Sequence, residues 1–335
     1  MKRLNNLSLY RIVATICILV FHIFYLLYAR AIPYEMLLSK GVQGLTALSG
    51  FLYSQKLITD TKKFYWTNFK KIIIPATVCI LFMVTWDVIA MLITQNFDVM
   101  QIFFMHRPYN GGLVVQPGNY YYLLYIFICY LITPVLQRND KWSVLVVVTA
   151  VLAEFSIRFF FGPSIIICSY IIGYYIGRKW FKTYTDVEQK YSVGALFLWI
   201  GVLALSVGLY IMLIVNPISG SYFLNHLQSL TINIFKTIFG VATFFFVAIA
   251  FKWLNKYKGF ALFKYTDKLT LIIYLMNQAF MCGAMDATAW VEPMWAKWIL
   301  VFAFTLTVSV GLWLITEQIN KFAFKKKEPQ IEAKS

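Results

Sequence analysis

Ile72-Ile-Ile-Pro-Ala-Thr-Val-Cys-Ile-Leu-Phe-Met-Val-Thr85 is apolar along its whole length, and that continuity decides the fold. A strand of a transmembrane barrel alternates lipid-facing apolar residues with polar ones that face the lumen. This run shows no such alternation, so it reads as a helix. Apolar runs of this kind recur from one end of the chain to the other: 60% of the residues are hydrophobic and 13% are charged. A bilayer core about 30 Å thick requires a helix of about 20 apolar residues. The expected fold is all-α, a polytopic integral membrane bundle with spans near 9–31, 38–58, 70–94, 119–137, 142–158, 162–180, 192–215, 228–253, 269–288 and 295–320.

An even number of spans puts both termini on one side, and the charges then choose the side. The net charge is +16. In a soluble chain this would suggest nucleic acid; here cytoplasmic loops that collect Lys and Arg account for it, and no nucleic-acid partner is expected. With both termini inside, 24 of the 30 cations fall in cytoplasmic segments. Arg30, Lys40, Arg107, Arg158 and Lys297 fall outside, and Lys236 lies within a span. The basic start Met1-Lys-Arg resembles a signal peptide, but the apolar run behind it is too long and lacks a small-residue cleavage site. Residues 325–335 read as a polar, disordered cytoplasmic tail, leaving 1–324 as one transmembrane domain. The five cysteines stand singly in apolar segments and read as packing residues, with no metal implied.

Within the first span, Arg11 and His22 are the residues to explain. Eleven residues advance a helix three turns and roughly 20°, so the two share a face and lie about 16 Å apart along the axis. With Arg11 at a membrane surface, His22 falls near the midplane, where an ionisable side chain is a functional candidate by default. The second span, Gly41-Val-Gln-Gly-Leu-Thr-Ala-Leu-Ser49-Gly50-Phe51-Leu52-Tyr53, spaces small residues for close helix packing. Lys70 and Lys71, ahead of Pro75, read as surface anchors or as point charges for a phosphate-bearing ligand. Glu154 and Arg158 are four apart, the spacing of a helical ion pair. Lys236 requires a partner or must snorkel. His106 and His226 read as solvated residues of the outer loops, and Asp87 and Glu317 have no assigned place relative to His22.

Taken together, these elements resemble the acyltransferase-3 type of membrane acyltransferase, which O-acylates bacterial envelope and exported glycans. The resemblance rests on Arg11 and His22 with ten residues between them, Gly41 followed by Leu48-Ser49-Gly50-Phe51-Leu52, and the basic run ending at Pro75. Tyr120-Tyr-Tyr-Leu123 through Pro134 looks like the family's fourth-span segment, and Thr270-Leu-Ile-Ile-Tyr274-Leu275 like its late Ser-x-x-x-Tyr-Leu element. The chain departs from the family pattern at five positions. Asn119 and Tyr121 stand where relatives carry His and Trp, Asn277 stands where His is often found, and Lys70 and Lys71 replace Arg.

The resemblance implies a bacterial plasma-membrane enzyme with cytoplasmic acyl-CoA, acetyl-CoA above all, as co-substrate. The acceptor is a glycan or lipid-linked sugar, membrane lipids surround the bundle, and no cofactor is tightly bound. A hydroxyl acceptor needs a base, and an imidazole suits that task; apolar surroundings favour its neutral, proton-accepting form. His22 is the candidate base or acyl carrier, and Arg11 is the second catalytic candidate. Arg11, Lys70 and Lys71 are the donor-binding set, and Ser49, Glu154, Tyr121, Tyr274 and Asn277 are acceptor or support candidates. The alternatives are a polysaccharide or lipid-linked-sugar exporter, including a non-catalytic member of the same family, and a glycan polymerase.

Overall fold

A computed structural model describes residues 4–27, 35–95, 104–106, 113–115, 121–138, 140–161, 165–184, 193–217, 221–257, 261–281 and 287–323. Arg30, Arg107, Asn119, Cys282 and the tail 325–335 lie outside these, as do the side chains of His106 and Tyr121. One long helix occupies each apolar stretch. They are α1 (Asn5–Leu27), α3 (Gly41–Tyr53), α4 (Thr61–Thr94), α5 (Tyr121–Arg138), α6 (Lys141–Phe161), α7 (Ile167–Tyr184), α8 (Val193–Val215), α9 (Tyr222–Ala250), α10 (Ala261–Met276) and α11 (Met294–Ala323). A single turn, α2 (Glu35–Leu38), precedes α3, and a two-stranded antiparallel ribbon pairs Phe104–His106 with Leu113–Val115 between α4 and α5.

Six of these helices, α1, α4, α6, α8, α9 and α11, are long and apolar enough to cross a membrane. The chain thus has the helices of a multi-pass membrane protein. The stretch expected to span over 38–58 is helical only for the 13 residues of α3, about 20 Å. Ser54 ends it, its amide bonded to the Gly50 carbonyl at 2.9 Å and its hydroxyl to the Phe51 carbonyl at 2.7 Å. The boundaries of α10 also differ from expectation. Its helix begins at Ala261 and stops at Met276, so Asp267 lies well inside it and Asn277 lies just past its end.

Glycine explains how the short α3 is held. A Cβ at Gly50 would come within 2.1 Å of the Tyr170 carbonyl oxygen in α7, and one at Gly173 within 2.0 Å of the Ala47 carbonyl oxygen. Backbones that touch in this way exclude every side chain larger than hydrogen, the arrangement that small residues permit between membrane helices. α1 and α9 enclose α3 from its other sides. There Leu7, Tyr10, Ala47, Leu48, Phe51, Phe244 and Phe245 form an aromatic-rich core, with the Tyr10 and Phe244 rings edge to face at 5.2 Å.

Ties at the helix ends gather the cationic termini on one face of the bundle. Asn5 at the start of α1 donates to the carbonyls of Leu254 and Tyr257 after α9, at 3.0 and 2.8 Å. Gln55 after α3 donates to Gly177 late in α7, and Tyr65 early in α4 donates to Leu131 in α5, at 2.9 and 3.0 Å. Lys268 in α10 pairs with Glu317 in α11 at 3.3 Å. Helices run alternately away from and back to this basic end, which carries Arg11, Lys56, Lys62, Lys63, Lys70, Lys71 and Arg178.

Candidate active site

Arg11 lies in the second turn of α1, and its guanidinium Nη1 donates to both carboxylate oxygens of Asp267, Oδ1 at 2.8 Å and Oδ2 at 3.0 Å. Ser8 Oγ, one turn earlier, adds a longer contact of 3.4 Å to the same carboxylate. The arginine remains one-third exposed, against 13% for the aspartate, so the ion pair fixes one edge of the guanidinium and leaves another facing water. A paired, half-exposed arginine is positioned to bind a further anion without moving.

It opens on a cavity of about 750 Å³ at the basic end. Arg11, Lys70, Lys71, Asp267, Lys268 and Glu317 provide the charged wall, and Ser49, Thr67, Thr270 and Thr316 the hydroxyls. Pro75, Tyr122, Leu123, Ile126, Tyr130 and Ile272 form the apolar part. α4 contributes here because Asp60 caps it, accepting from the Lys63 amide at 2.9 Å, which starts the helix early enough to turn Lys70 and Lys71 toward the opening. Lys70 lies over the Trp66 ring at 5.0 Å. Lys56, in the turn after α3, is held below the ordinary lysine range by desolvation and by the like charges of Lys71 and Arg11. Such crowding of cations favours a polyanionic ligand.

His22 does not line this cavity. Three turns deeper on α1 and half-buried, it meets Gln278, whose Nε2 lies 2.9 Å from Nδ1 and 3.2 Å from Nε2 of the ring. An amide nitrogen only donates, so the ring nitrogen that accepts carries a lone pair and this contact suits the neutral imidazole. Tyr122, in the cavity wall, meets Tyr274 with ring centroids 5.1 Å apart, and Tyr274 precedes Gln278 by four residues. Tyr274 and Asn277 are both buried.

The predicted residues thus separate into groups. Arg11, Lys70, Lys71 and Ser49 share the cavity, while His22, Tyr274 and Asn277 lie deeper. Glu154 belongs to neither group, and the expected Glu154–Arg158 pair gives way to other partners. The Glu154 carboxylate accepts from the amides of Ile166, Ile167 (2.6 Å) and Cys168 (2.8 Å), capping α7 from a neighbouring helix, while Arg158 donates to Ser229 in α9 at 2.8 Å. Lys236 finds an aromatic partner, its ammonium 5.1 Å from the Tyr210 ring centroid. Tyr121 opens α5, with its side chain outside the described residues.

Two site residues escaped the sequence reading. Asp267 falls outside the span expected over 269–288 because the apolar run begins after Lys268; the signal available is an acidic residue seven before Tyr274, two helical turns on one face. Gln278 was overshadowed by its neighbour Asn277, although both are polar residues in an apolar stretch. A family model for an acyltransferase domain matches residues 4–314, nearly the whole chain. Searches of curated proteins and of solved structures return no match.

Proposed function

Because the chain belongs to the acyltransferase-3 family and is a multi-pass membrane acyltransferase, we propose that it moves an acetyl group from acetyl-CoA to a glycan hydroxyl. The observation that carries this reading is the cationic cavity of Arg11, Lys70 and Lys71, whose apolar walls include Tyr122, Leu123, Ile126 and Tyr130. Coenzyme A has the matching form: a phosphate-rich head and a long, weakly polar arm ending in the thioester. Arg11, already oriented by Asp267, and the two lysines bind the phosphates. The arm runs past Tyr122 and Tyr274 toward the imidazole.

At the thioester, the acceptor hydroxyl attacks the carbonyl carbon as its proton passes to a ring nitrogen of His22. The tetrahedral intermediate then collapses, the C–S bond breaks, and the imidazolium returns the proton to the departing thiolate. The products are an O-acetyl ester and free coenzyme A. His22 acts here as a base, and Gln278 holds its ring in place. With the basic end in the bacterial cytoplasm, the donor arrives from the compartment that contains it, and the glycan is met at or beyond mid-membrane.

Purified protein supplied with acetyl-CoA and an acceptor glycan is the direct test. The wild type releases coenzyme A only when acceptor is present, and His22→Ala, at equal folded amounts, does not. Acceptor-dependent release that survives His22→Ala would remove the histidine from the chemistry. An exporter would give no release with either protein.

A further inference from the structure

Near the middle of the bundle and outside the cavity, a second group of cations is left without a role by the donor reading. Lys40 precedes the first residue of α3 and Lys236 lies in α9, each 7% exposed. Arg158 is in the last turn of α6, bound to Ser229 of α9. One face of α9 joins them, since Ser229, Lys236 and Gly240 follow one another at steps of seven and four. A Cβ at Gly240 would stand 2.5 Å from the Lys40 carbonyl oxygen and 3.4 Å from its Cβ. Lys40 and Lys236 are near enough to repel one another, and Arg158 repels both.

Two side chains here have polar groups with no partner among the described residues. The Lys40 ammonium makes no hydrogen bond or ion pair. Gln43, one turn further along α3 and 1% exposed, has a buried carbonyl Oε1 that accepts nothing. It too faces α9, since the Cβ built on Gly240 would lie 2.9 Å from its own. Like charges held together away from water call for an anion among them, and a buried amide oxygen calls for a donor. A ligand that carries an oxyanion and hydroxyl groups satisfies both.

We infer that Lys40, Lys236, Arg158 and Gln43 form a second binding site, which takes the carboxylate and a hydroxyl of an acidic sugar in the acceptor glycan. The occupant rests on the glycan-acceptor reading given above; the site rests only on these residues. Its level in the bundle suits an acceptor. A Cβ at Gly41 would touch the Ala14 carbonyl oxygen at 2.8 Å and Ile18 Cγ1 at 3.1 Å, and His22 is one turn beyond Ile18. Arg158 and Ser229 stand nearer the surface, and Lys236 and Lys40 are both buried. A phospholipid headgroup, by contrast, is met by exposed cations at the bilayer surface.

Glucuronate, glucose and inorganic phosphate are the probes, each titrated into the full-length protein in detergent. Glucuronate is expected to bind and raise the thermal midpoint, and glucose is not. Lys40→Met, which keeps the stem and removes the charge, weakens glucuronate at least tenfold, and so does Lys236→Met. Lys40→Arg retains binding, as does the Lys70→Gln/Lys71→Gln protein, which separates this site from the basic cavity. Removing a buried charge is not expected to unfold the bundle, and an unchanged size-exclusion profile verifies this. Equal glucuronate affinity in wild type and Lys40→Met overturns the site, and phosphate binding without glucuronate binding overturns the acidic sugar. His22→Ala keeps glucuronate binding even where it loses transfer, so failure of the catalytic reading and failure of this one give different results.

Discussion

Gln278 donates an amide hydrogen to the imidazole of His22 across 2.9 Å, yet a base needs a free lone pair on the nitrogen that meets the substrate. The two requirements agree when Gln278 holds one ring nitrogen and the other turns to the acceptor, or when the amide rotates and its oxygen receives the ring N–H. Either way the glutamine sets the ring's orientation. Gln278→Leu therefore lowers kcat by about tenfold or more while leaving the donor KM near its wild-type value, part of the 10²–10⁴-fold that general base catalysis supplies. Gln278→Glu places a carboxylate beside the ring and stabilises the imidazolium. On the proposed mechanism the base works in its neutral form, so the acidic limb of the pH–kcat profile then moves to higher pH. An unchanged profile in both variants would show that Gln278 only packs. At the other end of α1 the expected change is of the opposite kind: Arg11→Ala raises the acetyl-CoA KM about tenfold or more with a smaller effect on kcat, since a phosphate contact is made equally in ground and transition states. A steady-state series in acetyl-CoA concentration separates the two.

The helices differ in what holds them, and α7 shows this best. Its first amides are satisfied by Glu154, a residue of another helix, at 2.6 and 2.8 Å from Ile167 and Cys168. An N-terminus buried in apolar surroundings has no water to turn to, so the carboxylate replaces it. Glu154→Leu leaves those donors unsatisfied and is expected to cost several kcal/mol, about 1–3 per donor, seen as a large fall in the detergent thermal midpoint. Glu154→Gln retains an acceptor oxygen and falls less. This contact was not legible in the chain, where the i to i+4 spacing of Glu154 and Arg158 pointed to a local pair; a cap supplied from twelve residues away follows no local period. What was legible was periodicity and composition. Among the described residues a helix occupies at least part of every apolar run, and the small residues of Gly41–Tyr53 became backbone contacts with α7 and α9. Helix ends were harder to read: α10 starts at Ala261, before the apolar run, because helix packing against α1 and the Arg11–Asp267 pair support residues that hydropathy assigns to a loop.

In the whole molecule, two clusters of positive charge lie at different depths of the bundle, and they differ in what accompanies them. At the basic end the cations are exposed or half-exposed, mixed with Asp267 and Glu317, and line a cavity. Deeper in the bundle Lys40 and Lys236 are enclosed. The charge asymmetry of the sequence implies the orientation, because lysine and arginine are retained on the cytoplasmic side of short loops. On the proposed reading donor access follows the same orientation, since acyl-CoA carries charged phosphates that do not cross the bilayer. Single cysteines in a background lacking Cys17, Cys79, Cys129, Cys168 and Cys282 test it. Lys62→Cys is exposed in the first turn of α4, and Asn216→Cys is exposed beyond α8, at the opposite end. A membrane-impermeant maleimide applied to intact cells is expected to label Asn216→Cys and to reach Lys62→Cys only after the membrane is opened. The reverse pattern would put the Arg11 cavity outside, where no acyl-CoA pool exists, and the donor assignment of Arg11, Lys70 and Lys71 would fall with it.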